Sequence, residues 1–141
     1  MAKILVADDS RFQLALLQST LREKGFQVVV AQDALQAGML ALRTSPDAIV
    51  LDINMPGGTG LEVLRRLKTS SKTCNIPVLV ASGNEDPDVR QAAIDLGVVD
   101  FLSKPIDTER LAQELSDLLH EPTKPSKDQG KPPEPGRNLR T

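Results

Sequence analysis

Residues 48–61, AIVLDINMPGGTGL, run from four apolar residues into a carboxylate, then through a Pro-Gly-Gly turn into a new apolar period. The first four read as a strand buried on both faces, because the run is continuous rather than alternating. The Pro and Gly cluster reads as a loop. Leu61, Leu64 and Leu67 then recur at helical spacing and predict a helix over 60–69. One strand is joined to one helix, with Asp52 at the joint.

The same unit recurs on both sides. Short, β-rich apolar runs lie at 4–7, 26–31, 48–51, 78–81 and 98–102. A helix over 11–24 places Phe12, Leu16, Leu17 and Leu21 together and stops at Gly25 as its C-cap. A helix over 34–44 places Leu35, Met39, Leu40 and Leu42 on one stripe before Pro46. A helix over 87–96 groups Val89, Ala92, Ala93 and Leu96 before Gly97. A helix over 108–119 groups Leu111, Leu115, Leu118 and Leu119, with Asp107 as N-cap. These leucines, valines and alanines read as core rather than as a docking surface. Strand–helix repeated five times implies an α/β fold, a parallel sheet with helices on both faces. Right-handed crossovers reduce the topologies to a few, and the pattern alone leaves the strand order open.

In an open parallel sheet, function gathers beyond the carboxyl ends of the strands. The first run is followed by Asp8 and Asp9, the third ends at Asp52, the fourth is followed by Ser82, and the fifth by Lys104 and Pro105. Gln32 and Asp33 follow the second and have no evident role. Each residue alone has a plainer reading. Asp8-Asp9-Ser10 can cap a helix, Asp52 and Ser82 can be turn residues, and Lys104 can be solvated. The set is informative because all its members fall at the same end of successive strands. Three close carboxylates resist ionising together. Mg²⁺ relieves that repulsion through oxygen ligands and offsets charge during phosphoryl transfer. One carboxylate is then free to attack phosphorus and form an acyl phosphate. Lys104 can pair with one phosphoryl oxygen and Ser82 can donate to another.

Composition narrows the alternatives. Residues 1–120 carry 12 Lys and Arg against 16 Asp and Glu, a net charge of −4 that disfavours direct nucleic-acid binding. Three Phe with no Tyr or Trp leave little for base stacking. The single Cys74 permits no intrachain disulfide, as expected of a reducing, cytoplasmic protein. No signal peptide is expected, since the run at 4–7 is short and ends at Asp8 and Asp9; no run is long enough to span a membrane. Residues 121–141 hold five Pro, two Gly and few apolar residues, which predicts a disordered tail after a domain over 1–120.

At these residues the chain resembles the receiver domain of bacterial response regulators, the CheY-like superfamily, over about residues 2–120. The segments that carry the resemblance are ILVADDS, IVLDINMPGGTGLEVL, VLVASGN and FLSKPI. The resemblance implies a flavodoxin-like sheet of order 2-1-3-4-5. It implies Asp52 as phosphoacceptor, with Asp8, Asp9, Asp52 and the backbone carbonyl of Asn54 holding Mg²⁺ or Mn²⁺. Lys104 matches the phosphate-pairing lysine, and its bond to Pro105 the family's cis peptide. Ser82 matches the switch hydroxyl, Phe101 the rotating aromatic, and Gly83 the small residue that leaves access to phosphate. The donor is then a histidine kinase or histidine phosphotransfer protein. Phosphorylation switches the face made by the fourth helix, fifth strand and fifth helix for a downstream protein or a second copy. The chain is expected to be a self-phosphorylating signalling domain, at most a slow autophosphatase, and not an enzyme. It departs from the family at Gly58 and Thr59, where Met and Asp are common; Asn84 lies where phosphoryl lifetime is tuned.

Three other readings compete. A phosphate-independent scaffold would show gaps in the site set. An aspartyl-phosphate phosphohydrolase would need a second Asp where Asn54 stands, and a cap domain. A nucleotide site would need the lysine that the loop at 57–60 lacks. His120 reads as a helix C-terminal residue, not a catalyst.

Overall fold

The computed structural model describes residues 1–54, 60–83 and 86–119. The Gly58 and Thr59 departure, Asn84, His120 and the expected tail over 121–141 lie outside the described residues.

The chain forms β1 (Lys3–Ala7), α1 (Arg11–Glu23), β2 (Gln27–Ala31), α2 (Ala34–Thr44) and β3 (Ala48–Asp52). It continues as α3 (Gly60–Thr69), β4 (Val78–Ser82), α4 (Pro87–Asp95), β5 (Asp100–Ser103) and α5 (Thr108–Leu119). All strand pairs are parallel, in the order β2-β1-β3-β4-β5. From β1 the chain first steps outward to β2, then returns past β1 to β3. The sheet therefore has its switch point between β1 and β3, where the carboxyl ends open onto a crevice.

Alternation along the strands builds two cores. Ile4, Val6, Val50 and Leu79 face α1 and α5, against Leu14, Leu17, Leu21, Leu111 and Leu115. Leu5, Ala7, Ile49, Leu51, Val78 and Val80 face the other side, against α2, α3 and α4. Burial removes each large side chain from water, at about 1.5–3 kcal/mol apiece. Continuous burial holds for β3 and β4, every residue of which is buried. The outer strands β2 and β5 are only partly covered, because each has one neighbour instead of two. Strand β5 begins two residues later than expected, since Val98 and Val99 belong to the turn before it.

Helix ends follow the sequence. Ser10 caps α1 by accepting from the Gln13 amide at 3.2 Å. Gly25 takes φ +93° just beyond the Lys24 cap, a conformation that glycine adopts without steric cost. Asp107 accepts from the Arg110 amide at 3.1 Å, the expected cap of α5.

Helical faces differ from expectation in α5, where Leu118 is exposed rather than core, and more fully in α2 and α1. In α2 the stripe turned to the sheet is Ala34, Ala37 and Ala41, while Leu35, Met39 and Leu42 are exposed. In α1 the buried residues include Leu14, Leu17 and Leu21, while Phe12 is 77% exposed and Leu16 is also exposed. In α2 small side chains allow the helix to lie closer to the sheet, and that close packing takes precedence over the larger residues. In α1 the buried stripe is itself made of leucines, offset around the helix from Phe12 and Leu16.

Candidate functional site

The β1–β3 register pairs Ala7 with Leu51, so the next residues, Asp8 and Asp52, stand side by side. Both carboxylates are buried, at 2% and 3% exposure. The chain meets the cost of burying them with matched hydrogen bonds. Asp8 Oδ1 accepts from the Ser10 amide at 2.9 Å, and Asp52 Oδ1 accepts from the Asn54 amide at 3.0 Å. Each is a local turn in which a side chain holds the backbone two residues on. The second oxygens share one donor: Lys104 Nζ lies 2.9 Å from Asp8 Oδ2 and 3.0 Å from Asp52 Oδ2. Lys104 arrives from the end of β5, and its bond to Pro105 is cis.

Electrostatics follow from this geometry. Burial pushes the Asp52 carboxyl above its usual range, and the Asn54 amide and the Lys104 ammonium only partly offset that push. Burial alone would lower Lys104, but hydrogen bonds to Asp8 and Asp52, with their charges, outweigh it and raise the ammonium. The two directions differ in origin: dehydration dominates at the carboxylate, while two anionic partners dominate at the amine. Lys104 thus stays charged.

Asp9 is exposed beside this pair. Oxygens of Asp8, Asp9 and Asp52 lie within 4.8 Å of one another. Ionised, three carboxylates and one ammonium leave two negative charges, all on hard oxygen donors. That donor set fits a hard divalent cation such as Mg²⁺ or Mn²⁺.

Ser82, the last residue of β4, is fully buried. Its Oγ accepts from Asn54 Nδ2 at 2.9 Å. Gly83 follows, exposed; among the described residues, a Cβ added there would meet only the Lys104 Cβ, at 4.0 Å. Phe101 on β5 is half-buried against the α2–α4 side of the core, and the Arg90 guanidinium lies 5.2 Å from its ring centroid. A cleft of about 340 Å³ opens beside it, with Asp100, Ile106, Arg110 and Glu114 in its wall.

The fold therefore brings Asp8, Asp9, Asp52, Asn54, Ser82, Gly83 and Lys104 to one edge of the sheet. Three contacts were not anticipated from sequence: the Asn54 side chain on Ser82, Asp8 as a partner of Lys104, and Arg90 over Phe101. The first two depend on strand register. For Arg90 the sequence offers no signal. Gly60 is a further requirement beneath the site. Its amide donates to the Ile53 carbonyl at 3.1 Å, and an added Cβ would fall 2.7 Å from the Ile53 carbonyl carbon.

Residues 4–116 match a family model described as the response regulator receiver domain. A response regulator named MprA from Mycobacterium sp. (strain KMS) is 38% identical over 117 residues, 83% of this chain and 50% of that protein. The chain thus spans about half the length of the curated relatives it matches. The chemotaxis protein CheY4 of Vibrio cholerae superposes with TM-score 0.77 at 31% identity, covering 84% of this chain and 99% of that one. The receiver domain of sensor histidine kinase PA1611 from Pseudomonas aeruginosa PAO1, solved with a magnesium ion coordinated in its active-site cleft, superposes with TM-score 0.74. It is 25% identical and covers 82% of this chain and 95% of that one.

Proposed function

The chain belongs to the response regulator receiver family, and on that premise we propose that Asp52 is the phosphoacceptor of a two-component phosphorelay. The observation that carries this reading is the shared grip of Lys104 on Asp8 and Asp52, at 2.9 and 3.0 Å, beside a third carboxylate. The donor is a histidine kinase or a histidine phosphotransfer protein. Asp8, Asp9, Asp52 and the Asn54 carbonyl would hold Mg²⁺ or Mn²⁺. The bound metal would supply charge compensation for the phosphoryl oxygens during transfer.

In the transfer, a carboxylate oxygen of Asp52 forms a bond to phosphorus while the bond from phosphorus to the donor breaks, and the donor keeps the electron pair. The Asn54 amide and Lys104 hold the carboxylate for attack. Lys104 then shifts a hydrogen bond from Asp52 to a phosphoryl oxygen and keeps Asp8 as its second partner. The open space at Gly83 gives the donor access.

The added charge is the signal. Ser82 turns its hydroxyl from the Asn54 amide to the phosphoryl group, and the vacated space admits the Phe101 ring. The face made by α4, β5 and α5 then presents a changed surface to a downstream protein or a second copy. Phosphate shifts a population between two states. On this reading the chain is a signalling domain with at most slow self-dephosphorylation, rather than an enzyme acting on external substrates, and it does not bind nucleic acid directly. Among the described residues no helix is long and apolar enough to cross a membrane.

The test is intact mass after incubation with acetyl phosphate, with and without Mg²⁺, for the wild type and Asp52→Asn. A gain of one phosphoryl group that needs both Mg²⁺ and Asp52 is expected. No gain under any condition would return the chain to the scaffold reading.

A further inference from the structure

Helix α2 is apolar on two faces. Its inner face, Ala34, Ala37 and Ala41, already packs on the sheet. Its outer face carries Leu35, Met39 and Leu42 at 67%, 47% and 52% exposure. Those three lie at i, i+4 and i+7, one continuous stripe of the helix. A helix that packed only on its own sheet would place polar residues there.

The stripe is one wall of a groove of about 250 Å³. Val63 and Leu67 of α3 form the opposite wall, Gly38 leaves part of the α2 side open, and Arg66 is the one charged lining residue among the described residues. Among the described residues, an added Cβ at Gly38 would meet nothing within 4 Å. The groove holds room for side chains supplied from outside.

Charge indicates what supplies them. Residues 34–44 and 60–74, the two helices and the turn after α3, contain Arg43, Arg65, Arg66, Lys68 and Lys72 against Glu62 alone. That is a net of +4 within residues 1–120, whose total is −4, so the remainder carries −8. The segments that build the groove are therefore net basic within an acidic domain, with Arg66 in the groove lining and Lys68 turned to the Ile76 carbonyl at 3.1 Å. A second copy presenting the same face would bring like charges together, which costs association.

We propose that the α2–α3 groove is a docking site for an amphipathic helix of another protein, with apolar residues at i, i+3 or i+4, and i+7, flanked by acidic residues. The apolar stripe enters between α2 and α3 as in helix-in-groove recognition, and acidic flanks pair with Arg43, Arg66 and Lys72. The surface is separate from the α4-β5-α5 face and does not depend on the phosphoacceptor reading. A receiver with both surfaces could be held by one partner while signalling to another.

The test uses the full chain as bait for a displayed library of helical peptides, counter-selected with Met39→Glu. Met39 is exposed, and melting curves check that the variant stays folded; Leu35→Gln serves as a second variant. Enriched peptides are expected to be acidic with the stated apolar spacing. They should lose affinity about tenfold or more on either variant, and weaken with added salt. Arg66→Glu should shift the selection away from acidic flanks. Enrichment of neutral or basic peptides, binding unaffected by both variants, or no enrichment over the counter-selection would overturn the proposal. So would self-association in sedimentation that Met39→Glu abolishes, since a second copy would then be the occupant.

Discussion

Asp52 and Leu35 each sit where a residue of their kind is unexpected. Asp52 is a carboxylate at 3% exposure, and Leu35 is an apolar side chain at 67%. The difference lies in compensation. Around Asp52 the chain answers the cost of burial itself, with the Asn54 amide on one oxygen and Lys104 on the other. Around Leu35 nothing among the described residues covers the outer face of α2. The strand edge is organised from within; the α2–α3 face leaves its apolar side chains exposed.

The contrast can be broken at several points, the largest at a glycine. Gly60 lies against the Ile53 backbone, and Ile53 immediately follows Asp52. Gly60→Ala should destabilise the domain by about 3 kcal/mol, measured by urea unfolding, because backbone rather than a flexible side chain must give way. Next comes Lys104→Met. It strips both buried carboxylates of their shared cation and should cost about 2 kcal/mol, less than a fully buried pair because Lys104 is 24% exposed. Millimolar Mg²⁺ should recover part of that loss, since a second cation can stand between the same oxygens. If Mg²⁺ leaves the variant unchanged, the carboxylates do not form a cation site.

Gly38 supplies the opposite case. Gly38→Ala introduces a methyl group into open space within a helix and should stabilise by about 0.5–1 kcal/mol. A loss there would mean that the groove is tighter than it stands.

The smallest effect concerns Glu114 on α5. Its carboxyl is pushed up to about 7 by burial first, then by the hydrogen bond and charge of Asp100, with Arg110 pulling the other way. A raised acid binds its proton more tightly in the folded state, so this contribution is fully present below pH 4.5 and is lost as pH rises to about 7. The difference in stability between wild type and Glu114→Gln should therefore change with pH across that window, the variant lacking the decline. Parallel curves would contradict the assignment.

The sequence carried the fold further than it carried the packing. Apolar runs and caps located all five strand–helix units to within about two residues. The strand-end rule brought Asp8, Asp9, Asp52, Ser82 and Lys104 to one edge. The face of α2 was not legible, because Ala34, Ala37, Ala41 and Leu35, Met39, Leu42 have equally good helical periods. Hydrophobicity favoured the larger set; close approach to the sheet selected the smaller. The Asn54–Ser82 contact was also hidden, because it depends on the register that sets Asp52 opposite Ala81.

The central claim is a phosphoryl group on the Asp52 carboxylate. After treatment with acetyl phosphate and Mg²⁺, borohydride reduces an acyl phosphate to an alcohol, which turns the modified aspartate into homoserine. Peptide mass mapping should find homoserine at position 52 and unmodified aspartate at 8 and 9. Homoserine at 8 or 9, or at no position, would contradict the account.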